Sequence, residues 1–552
     1  MKLREYFFLF PFLLIACNNI KSYEPIIPDQ NKLNTWKIGE QGLELWFKKD
    51  IIIDSIPGIS AYRVYDSLLT NRKPKLTIVA VIDGEIDLDH QELKNNLWVN
   101  IDEIPNNQID DDKNGYVDDI AGWNFLGNLQ GENIKYASIE SIRIIQQFQD
   151  KFKGKIDSTI TEESKKDFLK YQQAIINYEN KLKSKQSDIN YGKFLSEGYP
   201  LAKKELRKIF PKEDYSIQML DSLYELVKET DKSLAEHVYF INDCLKYNIT
   251  EGWILNYNNE VDSSLATTYN LSFYDRLKFD LKPNDLDYKT YGNPHLNNNE
   301  YLNKHSTKVS SLVLETVTYQ NRSHNIQIMP LAISPIGSEH DKDIALAIRY
   351  AVDNGASIIN MSFSKEMSLH KKWVLEAIKY ANENNVLIVT SAGNSYVNIN
   401  VLNLFEPNDK DENGKEISDN FLVVGSNSPY FNKYLFSYFS NYGINEVDVF
   451  APGEDIQVAM PNNNYTVDSG TSLSAAITSG VAALIRSYYP DLTASQVKHI
   501  LMDSGIEYTI EVATPTKEDP EKTTPFNQLS KSGKVVNAYN ALILADQVSK
   551  GK

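Results

Sequence analysis

Four short segments hold residues that could do chemistry together: "VIDGEIDLDH" with Asp83, "HSTKVSSLV" with His305, "SAGN" with Asn394 and "SGTSLSAA" with Ser472. A serine hydroxyl near neutral pH is a weak nucleophile, so attack on a carbonyl carbon needs a base that takes its proton and returns it to the leaving group. An imidazole suits that task, and a carboxylate can fix its tautomer. Each residue also has a plainer reading. Ser472 can be the N-cap of the small, apolar run that follows it, Asp83 a turn cap, Asn394 a loop residue and His305 a structural histidine. The elements around them must decide.

"LTIVAVID" (76–83) is a near-continuous β-branched run that ends in an acid. Such a run reads as a strand buried on both faces of a parallel sheet. Similar strands recur at 326–333, 357–363, 386–394, 421–426 and 447–453, with helices predicted over 341–354 and 371–384. This alternation predicts an α/β fold with a parallel sheet, which places ligands at the carboxyl ends of its strands. Asp83 and Asn394 lie at such ends. From 132 to 271 the texture changes to Lys/Glu-rich sequence with helical periodicity. Phe168, Tyr171, Ile175, Tyr178 and Leu182 form one apolar stripe, and Ile217, Leu220, Tyr224 and Val227 another, so this stretch reads as an α-helical insertion. The acidic, proline-containing stretch 512–527 reads as a loop.

The four segments in register resemble subtilisin-like serine peptidases, the S8 or subtilase family, whose acid, histidine and serine occur in this chain order. The resemblance covers 58–131 and 272–545, and "FSNYG", "VFAPG" and "SGKVVNAYNAL" extend it through the last third. The segments 103–125 and "YGN" (291–293) look most like large secreted subtilases of Bacteroidetes-type bacteria, which also carry insertions before the histidine. The resemblance implies a subtilisin-like three-layer fold, a mainly parallel sheet flanked by helices. It also implies an endopeptidase acting on protein or peptide substrates through an acyl-enzyme on Ser472. His305 would be the base, Asp83 its orienting acid, and Asn394 with the Ser472 N–H the oxyanion donors; no cofactor enters the chemistry. The edge "NMSFS" (360–364) would pair with extended substrate. The sequence departs from the family pattern at Asp83-Gly84-Glu85, where a hydroxyl usually follows the acid. It departs again at "HSTKVSS", where Ser306 and Ser311 replace glycines and Lys308 a second histidine, and at Ala476 in place of a proline. These departures support an alternative, a catalytically impaired fold that binds peptides, with the helical insertion as a platform for a protein partner.

Asp110, Asp112, Asn114, the Tyr116 carbonyl and Asp118, with Gly115 at the turn, match the start of an EF-hand-type Ca²⁺ loop, although the twelfth position is Ala121. A structural Ca²⁺ is therefore expected. The net charge of −17 excludes non-specific nucleic-acid binding. Lys2 and Arg4 precede an apolar run (7–16) of signal-peptide length, and "LIAC" ending at Cys17 resembles a bacterial lipobox. These features predict export and attachment to a bacterial membrane, at the outer membrane or cell surface, through lipidated Cys17. The other of the two cysteines, Cys244, is expected to be a free, buried thiol. The division expected from sequence is a signal peptide (1–16), a tether (17–57), a first catalytic part (58–131), the helical insertion (132–271), a second catalytic part (272–545) and a tail (546–552).

Overall fold

The computed structural model describes residues 23–30, 33, 43–69, 72–319, 325–400 and 405–551. The signal peptide and the lipobox with Cys17 lie outside the described residues. In chain order the strands are β1 (Thr77–Asp83), β2 (Trp123–Asn124), β3 (Ile326–Ala332), β4 (Ile358–Met361), β5 (Leu387–Ser391), β6 (Phe421–Asn427), β7 (Val449–Pro452), β8 (Ile456–Met460), β9 (Asn464–Asp468), β10 (Ile506–Glu507), β11 (Glu511–Ala513), β12 (Thr523–Pro525) and β13 (Lys534–Val535). The helices are α1 (Ala61–Ser67), α2 (Glu140–Phe152), α3 (Glu162–Leu206), α4 (Ile217–Val227), α5 (Lys232–Lys246), α6 (Glu251–Ala266), α7 (Asn303–Val317), α8 (Asp341–Asp353), α9 (Lys371–Glu383), α10 (Thr471–Tyr488), α11 (Ala494–Asp503) and α12 (Ala538–Ser549).

Among the described residues, nine strands form one sheet in the order β10-β13-β7-β6-β5-β4-β1-β3-β2, parallel throughout except for the β10–β13 pair. β1 sits between β3 and β4, with Asp83 opposite Ala332 and Ile82 opposite Met361. Its side chains alternate between two cores. Val79 and Val81 join the apolar cluster of α7 and α10, whereas Ala80 and Ile82 join that of α8 and α9. Burial on both faces explains why β1 reads as an unbroken apolar run. α7 and α10 pack closely because Gly480 lies against Thr316 and Val313, where a Cβ would come within 2.7 Å of Thr316 Cβ.

Five helices, α2 to α6, fill the segment between β2 and α7. α3 alone has 45 residues, about 68 Å at 1.5 Å per residue. Near its start, Phe168 and Tyr171 of the predicted stripe are buried with Ile144 and Phe152 of α2, and Met367 and Leu369 from the segment between β4 and α9 pack against them. Farther out, Leu206, Leu220, Val238 and Ile241 form a separate core between α3, α4 and α5. Cys244 is a free, buried thiol, and burial pushes its pKa up to about 11. Among the described residues no helix is long and apolar enough to cross a membrane.

The segment read as a tether with one packed stretch around Trp36 and Trp46 is packed at Trp46, and Trp36 lies outside the described residues. Trp46, Phe47 and Ile51 are fully buried, Trp46 Nε1 donates to the Glu454 carbonyl, and the Ile26 N–H donates to Asn540. One expectation is revised. The stretch read as a loop at 512–527 contains an antiparallel hairpin, with Glu511 opposite Pro525 and Val512 opposite Thr524. Its strands have three residues each, too short for a period to show.

Candidate active site

β1 delivers Asp83 to the carboxyl end of the sheet, where its side chain is 3% exposed. The Ile333 and Ser334 N–H groups donate to its carbonyl, and the Gly84 N–H donates to Oδ1 at 2.7 Å. His305, in the first turn of α7, brings Nδ1 to 2.9 Å from both carboxylate oxygens. With Nδ1 so engaged, Nε2 is left as the acceptor. The imidazole is 46% exposed. Partial desolvation draws the His305 pKa down, but the Asp83 charge and hydrogen bond draw it up more strongly, and the net shift is upward; Lys308 lowers it and Asp468 raises it.

α10 starts two residues earlier than the cap reading of Ser472 requires. Gly470 is the N-cap, and Ser472 is the second helical residue, so its N–H is among the first-turn groups without an intrahelical acceptor. Asn394 Oδ1 accepts from the Thr471 N–H at 2.9 Å and from Thr471 Oγ1 at 2.8 Å. This fixes the amide and turns Nδ2 the other way. A Cβ placed on Gly470 would lie 3.4 Å from Asn394 Nδ2 and 3.9 Å from the Ser472 nitrogen, so both donors flank one small space. The Ser472 hydroxyl donates to the Ser362 carbonyl at 3.1 Å, and Ser362 Oγ donates back to the Ser472 carbonyl at 3.1 Å. Among the described hydrogen bonds, none joins Ser472 Oγ to His305. The structure thus brings Asp83 to His305 and Asn394 to the start of α10, with the hydroxyl parked on the 360–364 edge. A pocket of about 230 Å³ opens beside that edge between Phe363 and Ala392, with Ile399 and Phe405 in its wall.

The departures around the acid and the histidine fit one another. A Cβ on Gly84 would come 2.5 Å from the Leu302 carbonyl, so a residue with a side chain there would push α7 away. Glu85 is fully buried, and four donors point at it. Oε1 accepts from Asn124 and Asn133, while Oε2 accepts from the Asn298 and Asn299 N–H groups at 2.6 Å. Those two amides belong to the turn that enters α7. Lys308 Nζ donates to Asp468 at 2.6 Å, and Asp468 Oδ1 accepts from the Ser469 N–H, which ties α7 to the segment that leads into Ser472. Read along the chain, these residues register only as deviations; the asparagines at 293, 297, 298 and 299 are the one sign there of a polar clamp. Glu85→Gln would turn an amide N–H₂ toward existing donors. With errors of about an ångström costing on the order of a hundredfold, kcat should fall roughly ten- to a hundredfold while the near-ultraviolet circular dichroism stays native. An unchanged kcat would remove the clamp from the site.

The subtilase family model matches residues 75–528. The chain belongs to the subtilase family. This subtilase is 30% identical over 267 residues to the thermophilic serine proteinase of Bacillus sp. (strain AK1), an alignment spanning 47% of this chain and 58% of that one. It is 29% identical over 207 residues to subtilisin DY of Bacillus licheniformis, covering 37% of this chain and 70% of the other. A subtilase cytotoxin structure aligns at 23% identity and a TM-score of 0.38, over 47% of this subtilase and 81% of that chain.

Within the loop read from the sequence as a Ca²⁺ site, Asp110 and Asp112 converge, both accepting from the Asn114 N–H at 3.0 Å. Asp110 accepts from the Asn114 and Gly115 N–H groups. Asp118 has φ +55° and accepts from the Asn107 and Gln108 N–H groups. The Tyr116 ring packs between Trp123 and Tyr350. Asn114 directs Nδ2 at Asp112 and Asp119. Asp112 also meets Glu103 and Asp119, one oxygen of each lying within 4.8 Å of the others. Spacing alone could not find this trio, because Glu103 precedes the loop and the Asp118 turn puts Asp119 inward. Burial raises the Asp119 pKa, opposed by hydrogen bonds from Tyr350, Asn114 and Asn100 and reinforced by the Asp112 charge. Three carboxylates converging in this way make a hard, all-oxygen donor set of the kind that fits Ca²⁺.

Proposed function

We propose that this subtilase is a serine endopeptidase in which Ser472 attacks the scissile carbonyl and forms an acyl-enzyme. His305 Nε2 takes the hydroxyl proton and delivers it to the leaving amine, while Asp83 holds Nδ1–H and stabilises the imidazolium. The oxygen that becomes negative lies between Asn394 Nδ2 and the Ser472 N–H, donors that need no reorganisation during the reaction. The N-terminus of α10 adds a favourable dipole there. The residue before the scissile bond would fill the pocket beside Phe363. The observation that carries this reading is the Asp83–His305 pair, with Nδ1 2.9 Å from both oxygens. Purified protein treated with a serine-directed phosphonate should be labelled at Ser472 and lose hydrolysis in step. A well-folded sample that takes no label would sink the reading.

The alternative of a peptide-binding module draws on the Ser472 hydroxyl, which rests on Ser362 rather than His305. Such bonds often form only with substrate in place, and one rotation about the Cα–Cβ bond frees the hydroxyl. Turnover of a mixed peptide library that His305→Ala abolishes excludes a pure binder.

Glu103, Asp112 and Asp119 would hold a Ca²⁺ that relieves their mutual repulsion and stabilises the fold without entering the chemistry. Ligand at a hundred times its Kd stabilises by about 2.7 kcal/mol. Chelator should therefore lower the melting temperature by several degrees and added Ca²⁺ restore it, with no response in Asp112→Asn; a midpoint indifferent to chelator argues against the ion. Export and lipidation at Cys17 rest on the "LIAC" sequence. Cells fed labelled palmitate should mark the wild-type protein and not Cys17→Ser, and an unmarked wild type would overturn the anchor.

A further inference from the structure

Beyond Asp83 the line of β1 is vacated, because Gly84 and Glu85 turn away toward α7, whereas the chains continuing from β3 and β4 run on. Ser362, which follows Met361, stands level with Asp83 in register and bonds Ser472. The 362–365 segment and the 333–339 segment therefore flank a slot one strand wide. Among the described residues, the N–H and C=O groups of Ser364 and Gly337 take no partner, which leaves backbone on both edges for an incoming strand.

The slot then ends. Lys365, whose backbone pairs with Glu406 on the side away from the slot, sends its ammonium across to the Glu339 carbonyl at 3.0 Å. The same ammonium meets Asp341 at 2.6 Å and Glu140 of α2 at 3.4 Å. Arg143, also on α2, donates to the carbonyls of Ser338 and Glu339 and to Glu140. Lys365, Glu339, Arg143 and Glu140 are all buried. The acceptors an incoming strand would need next are thus already taken, by charged side chains that are expensive to displace.

We propose that the foot of the helical insertion shuts the substrate groove three residues on the amino side of the scissile bond, with Lys365 and Arg143 as the specificity-determining residues. From Ser362 to Lys365 is three residues, about 10 Å of extended chain, so an antiparallel strand with its first residue beside Ser362 has its third beside Ser364 and its fourth against Lys365. The substrate class is then peptide chain read over three residues before the cleaved bond, with everything farther upstream directed out to solvent. This rests on the peptidase reading above.

The test is a series of acetylated peptide anilides with two to five residues before the scissile bond, alongside calorimetric binding of the matching acetylated peptide acids to Ser472→Ala protein. We expect kcat/KM and affinity to rise as far as the third residue and then to change less than twofold on adding a fourth and fifth. A gain of tenfold or more from the fourth residue overturns the proposal, whether read in turnover or in binding. In Lys365→Met the fourth residue should become worth at least fivefold, and if that variant does not fold the wild-type series still decides. Absence of hydrolysis with binding that stops growing at three residues removes the peptidase reading and leaves the closed groove. Binding of none of the peptides overturns the groove itself.

Discussion

Replacing Ser472 by alanine is expected to lower kcat by roughly a millionfold, the size of loss found in subtilisin when its own nucleophile is removed. The comparison is clean because the substitution spares the scaffold. Gly470, not Ser472, caps α10, and alanine is the best of the helix formers. The Ser472 N–H stays in place, and Asn394 keeps its two bonds to Thr471. Alanine gives up the hydroxyl's bond to Ser362, worth about 1 kcal/mol, so the variant should melt within a few degrees of the wild type. Both oxyanion donors remain, so hydrolysis about a thousandfold above the uncatalysed rate should persist. Adding Asn394→Ala should remove much of that remainder, because one oxyanion donor is worth on the order of a hundred- to a thousandfold. Initial rates on a peptide anilide, with melting curves on the same samples, check all three values. A loss below tenfold for Ser472→Ala would place the nucleophile elsewhere.

The contrast between Ser472 and Lys365 shows what a sequence discloses. β1, β4 and β5 are buried on both faces, so they read as short, mainly apolar runs whose carboxyl ends, with Asp83 at one and Asn394 just beyond another, can be located by reading along the chain. His305 lies 222 residues from Asp83, and only the motif around it, not any spacing, connects the two. Lys365, Arg143 and Glu140 belong to no motif. They meet because α2 folds back across the end of the groove, and the ordinary expectation for such charges is a solvated surface. The same holds for Glu103, drawn to Asp112 and Asp119 by turns that a linear ligand pattern does not encode.

Asp83→Asn should lower kcat about ten-thousandfold and move the pH dependence at the same time. The Gly84 N–H, 2.7 Å from Oδ1, decides how an asparagine would sit. Its carbonyl oxygen must face that donor, which leaves its N–H₂ toward His305 Nδ1. Nδ1 then becomes an acceptor, the ring proton moves to Nε2, and the imidazole can no longer take the Ser472 proton. The second effect comes from charge. His305 has a raised pKa because the Asp83 charge and hydrogen bond outweigh desolvation and the Lys308 charge. Catalysis needs the neutral ring, so kcat/KM of the wild type should climb through a midpoint above the ordinary histidine value and then level off. With the aspartate charge gone, desolvation and Lys308 act without opposition from Asp83, and the midpoint of the residual activity should fall. The raised pKa also means that the folded protein favours the protonated ring. That stabilising contribution is present in full below the unfolded pKa and is lost as pH rises through the folded one, so the variant should lose it on the acid side. Rate profiles from about pH 5 to 9, the range in which an imidazole titrates, measure the shift on both proteins. A midpoint that stays put would mean that Asp83 holds His305 by geometry alone, and a profile that moves upward would contradict the pairing.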